Sequence, residues 1–207
     1  MKKSEWAGQI ISIQPRIRLS RSFDERFHSY LGYCLHIEGK IGDDERVFSV
    51  GIGKVTQKKH QFRVGDKVSG VAVPVADHRL EAVEFYRASK LKLKERFEAT
   101  VKNSPPWHGV PPDLETYRWR GHRRLSARTY NIKCTSCIWG CKMPVEMIID
   151  PWDPTYRYRY ETFCYGPKSC EYYKSGPERV VPGRKGMKWI EEDWIDEQET
   201  EHRTMDE

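Results

Sequence analysis

The sequence predicts a mainly β protein. A five-stranded barrel is expected over residues 1–100, a proline-rich linker over 101–114, a small cysteine-rich α+β module over 115–189 and an acidic tail over 190–207. Three observations predict this. Apolar side chains alternate with polar ones in five short runs before residue 95, the two-residue period of strands with one buried face. Four of the twelve prolines fall within Asn103–Asp113, where fixed φ and missing N–H donors favour a semi-rigid connection. Five of the six cysteines lie between Cys134 and Cys170. With 38% apolar and 32% charged residues, the 207-residue chain has material for two modest cores rather than one extensive one.

The first run is Ile11–Leu19, with Ile11, Ile13, Ile17 and Leu19 on one face and Ser12, Gln14, Arg16 and Arg18 on the other. In the second, Leu31, Tyr33, Leu35 and Ile37 alternate with Gly32, Cys34, His36 and Glu38. Phe48, Val50 and Ile52 form the third, closed by Gly51 and Gly53. Lys54–Gln61 is polar and long enough for two helical turns. Phe62-Arg-Val-Gly-Asp-Lys-Val68 reads as a turn into a fourth strand whose Val71, Val73 and Val75 share a face. The fifth strand is expected from Leu80 to Leu93, ending in Leu91 and Leu93 alternating with lysines.

Five strands, the first long, with a helix between the third and fourth, resemble the oligonucleotide- and oligosaccharide-binding (OB) fold. The resemblance covers the first 95 residues and rests on strand order and the Phe62–Val68 turn; an SH3-like barrel is the competing architecture. It implies a ligand face on strands two and three, bordered by the loops joining strands one to two and four to five. The first loop, Ser20–Ser29, interleaves Arg21 and Arg26 with Phe23, Phe27 and His28, and the second holds His78 and Arg79. Such a mixture suits single-stranded nucleic acid, because bases stack on aromatic faces at about 1–3 kcal/mol each while cations follow the phosphates. Phe23 and Phe27 would equally close the barrel end as core.

The cysteines follow C-x2-C-x3-C, then 22 residues, then C-x5-C. A C-x-x-C turn lets two thiolates converge on one ion, and two cysteine pairs flanking a hairpin are the pattern of a structural zinc site. The metal ligands expected are Cys134, Cys137, Cys164 and Cys170, with Cys141 as a fifth candidate. The intervening hairpin would use Ile148–Asp150 and Tyr156–Tyr160, its tyrosines packing inward and Arg157 and Arg159 facing out. In outline this resembles a zinc ribbon, from which it departs in the five-residue spacing of the second pair. An iron–sulfur cluster is the alternative, since the C-x2-C-x3-C run is compact enough to ligate one. Disulfides or unligated thiols are a third reading, and structural disulfides are rare in cytosolic proteins. Cys34, in a barrel strand, reads as a small packed residue.

The net charge of +6 conceals an asymmetry. From Ile190 onward nine acids face one base, so the preceding residues carry +14. A body this basic attracts polyanions, and nucleic acid is the partner expected, single-stranded RNA or DNA by preference. The acidic end is expected either to solubilise the chain or to lie over the basic surface. Within Tyr117–Arg124, Arg118, Arg120, Arg123 and Arg124 alternate with Trp119 and His122, a side-chain set that can grip phosphate and stack on bases. Arg184, Lys185 and Lys188 extend the basic surface.

No residue set identifies a reaction. Asp150, Asp153 and Glu161 are candidates for a catalytic magnesium in an alternative reading as a nucleic-acid-processing enzyme, although acids beside Pro151 and Pro154 also fit turns. No His-x-Glu or His-Glu-x-x-His accompanies the cysteines, and Gly183-Arg-Lys-Gly186 lacks the spacing of a phosphate-binding loop. A protein-interaction adaptor is the third reading. No apolar run is long enough to cross a bilayer, and Met1–Trp6 lacks the apolar stretch of a signal peptide, so a cytoplasmic location without membrane contact is expected.

Overall fold

The computed structural model describes residues 3–98, 106–153 and 155–205. Strand β1 (Ser4–Arg21) pairs antiparallel with β2 (Arg26–Ile41), and β2 with β3 (Asp44–Ile52). Helix α1 (Lys54–His60) leads to β4 (Lys67–Pro74), which returns antiparallel to Ser4–Gln9 of β1. Strand β5 (Phe85–Glu95) pairs antiparallel with β4 and meets β3 in parallel at Val50 and Phe85. The order β1-β2-β3-β5-β4-β1 therefore closes a ring, whose narrowest seam is the single Val50–Phe85 pair between β3 and β5.

The ring encloses the faces that alternation marks as apolar in β1, β2 and β3. Ile13, Ile17 and Leu19 of β1 are buried against Leu35 and Ile37 of β2, Phe48 and Val50 of β3, and Val68 and Ala72 of β4. Each such aliphatic side chain contributes about 1.5–3 kcal/mol. Two phase corrections are needed. A register shift between Ile10 and Ser12 turns Ile10 into the core and leaves Ile11 half-buried. On β4, Val68 and Ala72 reach the main core instead of the expected Val71, Val73 and Val75, and Val75 packs with Cys34 and Val83 in a separate cluster. The Phe62–Val68 turn is held from within. Asp66 is fully buried and accepts hydrogen bonds from the backbone N–H groups of Arg63 and Phe97 and from the Arg96 guanidinium. Gly65 beside it sits at φ +93°, where the Phe97 ring leaves no room for a Cβ. The fifth strand begins at Phe85 rather than Leu80, because a 3-10 turn over His78–Leu80, capped by the Asp77 side chain, occupies the approach.

Helix α2 (Leu114–Arg120), capped by Asp113, precedes the short strand β6 (Arg123–Arg124). Helix α3 (Ala127–Thr129) runs on into a π turn over Tyr130–Cys134. The hairpin β7 (Gly140–Asp150) and β8 (Thr155–Cys164) follows, with β6 on the outer side of β8. A second hairpin, β9 (Arg179–Pro182) and β10 (Lys188–Glu191), leads to helix α4 (Asp193–Thr200). Leu19–Arg21, at the end of β1, pairs in parallel with Val145–Met147 of β7, so one eight-stranded sheet runs through both halves. Met143, Val145, Phe163 and Tyr165 belong to the same buried cluster as Ile13 and Leu35. Residues 101–105 of the expected linker lie outside the described residues. Its remainder is tied down: the Trp107 carbonyl accepts from the Ile138 N–H, and the Pro112 carbonyl from the Tyr33 hydroxyl.

The acidic C-terminal segment is folded against the body. Glu191 is buried and takes both terminal nitrogens of Arg21, at 3.0 and 2.5 Å, together with Arg26. Arg124, 1% exposed, binds Asp196 through its backbone N–H and Nε, Asp193 through a terminal nitrogen, and the Glu191 carbonyl at 2.8 Å. Beside this network, the His28 and His122 rings lie 4.9 Å apart. Burial, reinforced by Arg26 and Arg21, pushes His28 down to about 4; burial also pushes His122 down, with His28 and Arg26 adding to the effect.

Two outcomes are expected from these contacts. Arg124→Ala strands Asp196 and several carbonyls in the interior and lowers the unfolding free energy by about 3–5 kcal/mol, while Arg124→Lys, which lacks the planar fork, recovers less than half of the loss; denaturant titration measures both. Because His28 is neutral when folded but protonates near 6.5 when unfolded, its contribution is present above pH 6.5 and is lost as pH falls toward 4. Stability should fall across that window, and His28→Gln should flatten the fall in urea midpoints.

Candidate functional site

The Cys134–Cys137 turn is fastened to strand β1. The Ser12 hydroxyl donates to the Thr135 carbonyl at 2.5 Å, and Gln14 Nε2 donates to the carbonyls of Cys134 and Cys137 at 2.8 and 2.9 Å. Gln14 Oε1 accepts from the Tyr130 hydroxyl at 2.6 Å. Within the turn, the N–H groups of Cys137 and Gly140 donate to the carbonyls of Cys134 and Cys137. A Cβ on Gly140 would stand 2.6 Å from the Cys134 carbonyl oxygen, so glycine is what lets β7 start so close to the turn. Cys164, the last residue of β8, lies opposite Gly140, and Cys170 sits in a turn bracketed by the Pro167 and Tyr173 backbones.

These elements bring Cys134, Cys137, Cys164 and Cys170 around one small enclosed cavity, walled by Trp107, Leu125, Trp139 and Tyr173. Burial pushes the Cys134 thiol up to about 12, with neighbouring Cys137, Cys164 and Cys170 adding to the effect. Burial likewise raises Cys137 to about 12, against the pull of the Trp139 backbone, and raises Cys164. All six cysteines are free thiols. Among the described residues no group of three or more His, Cys, Asp or Glu side chains is arranged to hold a metal ion; the four thiols surround the cavity rather than converge on a point. Cys141 is not among its walls. It lies in the main core, its thiol 3.4 Å from the Pro15 carbonyl. Cys34 is buried on β2 with its sulfur 3.8 Å from His36 Nδ1.

The arginines singled out by sequence divide into two groups. Arg21, Arg120 and Arg124 are buried and serve the fold: Arg21 and Arg124 as described above, and Arg120 by donating to the Tyr165 carbonyl at 2.6 Å with its guanidinium over Trp139. Arg16 forms a two-point pair with Glu81, Arg26 pairs with Glu191 and Glu199, and Arg159 pairs with Glu161. Arg123 is half-buried on the Tyr173 ring. Arg18 is half-buried, and Arg79, Arg118 and Arg157 are exposed. Arg79 also binds Asp77, and Arg118 binds Glu115 and covers Tyr30. Of the aromatics, Phe27 is exposed, Trp119 is exposed with its edge against His202, Phe23 is half-buried against Gly183, and His28 is half-buried. The candidate carboxylates are not gathered. Asp150 accepts from the Trp152 and Asp153 backbones at the β7–β8 tip, whereas Glu161 is buried between Arg159 and Arg179.

The tyrosines of β8 reverse the expectation. Tyr156 and Tyr160 are each 44% exposed and Tyr158 is half-buried. The Tyr156 and Tyr158 rings lie 6.5 Å apart at 21°. Arg79 sits 4.5 Å from the Tyr158 ring and Lys142 5.0 Å from the Tyr160 ring. The Tyr160 hydroxyl donates to the carbonyls of His78 and Glu81, binding this ladder to the β4–β5 connection. The expected alternation of burial does not hold here: Arg157 is exposed like Tyr156, and only Arg159 and Glu161 turn inward, where Arg179 and β9 cover them. Trp152 at the hairpin tip is 84% exposed. Nothing in the alternation distinguishes a tyrosine face that packs from one that is presented. Comparison with protein-family models, with curated proteins and with solved structures gave no match.

Thiol accessibility follows from this geometry. In metal-free protein at neutral pH, mass-mapped alkylation should label the half-buried Cys134 and Cys170 first, and should label Cys34 and Cys141 only on unfolding. Early labelling of Cys141 would contradict its place in the core.

Proposed function

We propose that the chain binds single-stranded nucleic acid through an OB-like barrel, and that Cys134, Cys137, Cys164 and Cys170 hold a structural zinc ion beside it. The observation that carries the binding half is the presented Tyr156–Tyr158–Tyr160 ladder interleaved with Arg79 and Lys142. Aromatic faces offer every base a stacking partner whatever the sequence, and adjacent cations follow the phosphates. The ladder adjoins the β4–β5 connection, one of the two loops that the OB resemblance assigns to the ligand. The ring order, with α1 between β3 and β4, supports the same assignment.

The donor set supports zinc. Four thiols from two stretches of chain wall one cavity with no carboxylate among its lining, and soft sulfur ligands in fours suit a tetrahedral ion. When bound, zinc supplies charge that favours the thiolate form against the burial that now holds these thiols protonated. The chain's own residues do the positioning, with Gln14 and Ser12 fixing the first pair and β8 the third cysteine.

Elemental analysis of protein purified without oxygen should find about one zinc per chain and no visible absorbance; a brown protein would replace zinc by an iron–sulfur cluster. Cys134→Ser should release the ion, and Cys141→Ser should leave metal content unchanged. Binding to labelled single strands should weaken linearly in log affinity with log salt. Tyr158→Ala should cost roughly 5–150-fold in affinity, the equivalent of about 1–3 kcal/mol, and Lys142→Ala should reduce the salt slope by about one. The absence of salt-sensitive binding to any RNA or DNA would favour a protein-interaction adaptor.

A further inference from the structure

A second aromatic site lies where the turn between β1 and β2 meets the corner between β10 and α4. Phe23 from the turn, Trp189 from β10 and Trp194 from α4 line a cleft of about 340 Å³, with Arg21, Arg26 and Glu191 also in its lining. The volume lies within the range of about 300–1,000 Å³ typical of sites for small planar ligands. Trp189 and Trp194 are 39% and 48% exposed, although their apolar surface would be hidden in an ordinary core. Phe23 is held by contact with Gly183, where a Cβ would stand 2.9 Å from its ring.

The polar groups narrow the ligand. Arg21 gives both terminal nitrogens to Glu191, and its buried Nε has no hydrogen-bond partner among the described residues. Arg26 divides its contacts between Glu191 and Glu199. Both guanidinium groups are thus already engaged by carboxylates, and Asp24 and Glu25 also stand in the lining. A quaternary ammonium ion, which aromatic cages capture elsewhere, is the competing ligand for such a cleft. A neutral planar ring carrying acceptors fits: its faces stack on tryptophan and phenylalanine, and its edge offers the oxygen or nitrogen that arginine seeks. Exposed Arg184, Lys185 and Lys188, on the hairpin that carries Trp189, are placed for a flanking phosphate.

We infer that this cleft receives one unpaired base of a bound single strand. The inference rests on the nucleic-acid reading above and adds to it a base-binding position on the β1–β2 side, separate from the tyrosine ladder. The test uses the full-length metal-loaded protein and labelled poly-U and poly-dT strands of about a dozen nucleotides. Trp189→Ala and Trp194→Ala should each weaken binding roughly 5–150-fold with an unchanged salt slope, because stacking is lost and no phosphate contact is. Strands carrying 5-iodouracil should cross-link to Phe23, Trp189 or Trp194. Unchanged affinity in the Trp189→Ala/Trp194→Ala double variant, with wild-type protein binding normally, overturns the cleft and leaves the broader reading intact. Wild-type protein that binds no single strand overturns both. Wild-type binding of a trimethyl-lysine peptide in place of the oligonucleotides assigns the cleft to an organic cation and ends the inference. Circular dichroism of the variants separates misfolding from lost stacking, and Trp194→Phe, which keeps an aromatic face, should restore most of the affinity.

Discussion

Strand β1 is longer than a ring of five strands requires, and the rest of the molecule is built on the excess. Its first half pairs with β4 to close the ring, while Leu19–Arg21 on the same edge pairs with β7. Its outward-facing Ser12 and Gln14, polar residues on what would otherwise be a solvated face, hold the Cys134–Cys137 turn by its carbonyls. Buried carbonyls left without donors are costly, roughly 1–3 kcal/mol each, so the turn is specified by side chains more than a hundred residues away in sequence. The half of the chain rich in cysteine therefore does not depend on a metal alone for its position. Ion binding would instead act on a frame that β1 has already set, adjusting four thiols that share a cavity.

Charge is distributed by the same logic. Sequence arithmetic separates a body of +14 from an acidic end, but folding brings the two together in pairs. Glu191 reaches Arg21 and Arg26; Asp193 and Asp196 reach Arg124. Burial on its own would raise the carboxyl of Glu191. The Arg21 hydrogen bonds and the Arg21 and Arg26 charges outweigh it, and hold the group below the usual range. What remains for a polyanion is the part of the basic surface outside these pairs, which includes Arg157, Lys142, the Arg184–Lys188 hairpin and the exposed Lys90, Lys92 and Lys94 of β5. The field felt by a ligand is thus smaller and more local than the composition implies.

The particular residues show what a sequence could disclose. Period-two alternation located β1 to β4, because burial of one strand face is a local property of the chain, and the polar interval between the third and fourth runs located α1. The Phe62–Val68 turn was legible because Gly and Asp are turn residues and Asp66 closes it locally on Arg63, while its ties to Ile10, Arg96 and Phe97 were not. Cys134, Cys137, Cys164 and Cys170 were separable from Cys34 as a group by spacing, but Cys141 was not separable from them, since the β7 strand that turns it into the core begins only one residue earlier. Arginines misled for a physical reason. Arg21, Arg120 and Arg124 have the composition of a phosphate site, and their partners, Glu191, Tyr165 and Asp196, are distant in sequence. The orientation of Tyr156, Tyr158 and Tyr160 was likewise undetermined, because it depends on which face of β8 the β9 hairpin covers.

The C-terminal segment consequently cannot be treated as a removable cover. Trp189 and Trp194, which wall the cleft beside Phe23, belong to the same stretch as Glu191, Asp193 and Asp196, which neutralise three arginines of the body. Cutting the chain at Ile190 would leave Arg21 and Arg124 buried without their carboxylates, a change that destabilises by several kcal/mol on the usual scale for broken buried pairs. It would also remove one aromatic wall. An increase in nucleic-acid binding after such a truncation would then report exposed guanidinium groups on a loosened body rather than the release of a pre-formed surface. A segment that competed with the ligand by simple coverage would lie on exposed cations and leave stability unchanged when removed. This one is knitted into the interior, so its acid residues and the body form a single unit whose stability falls when the segment is removed.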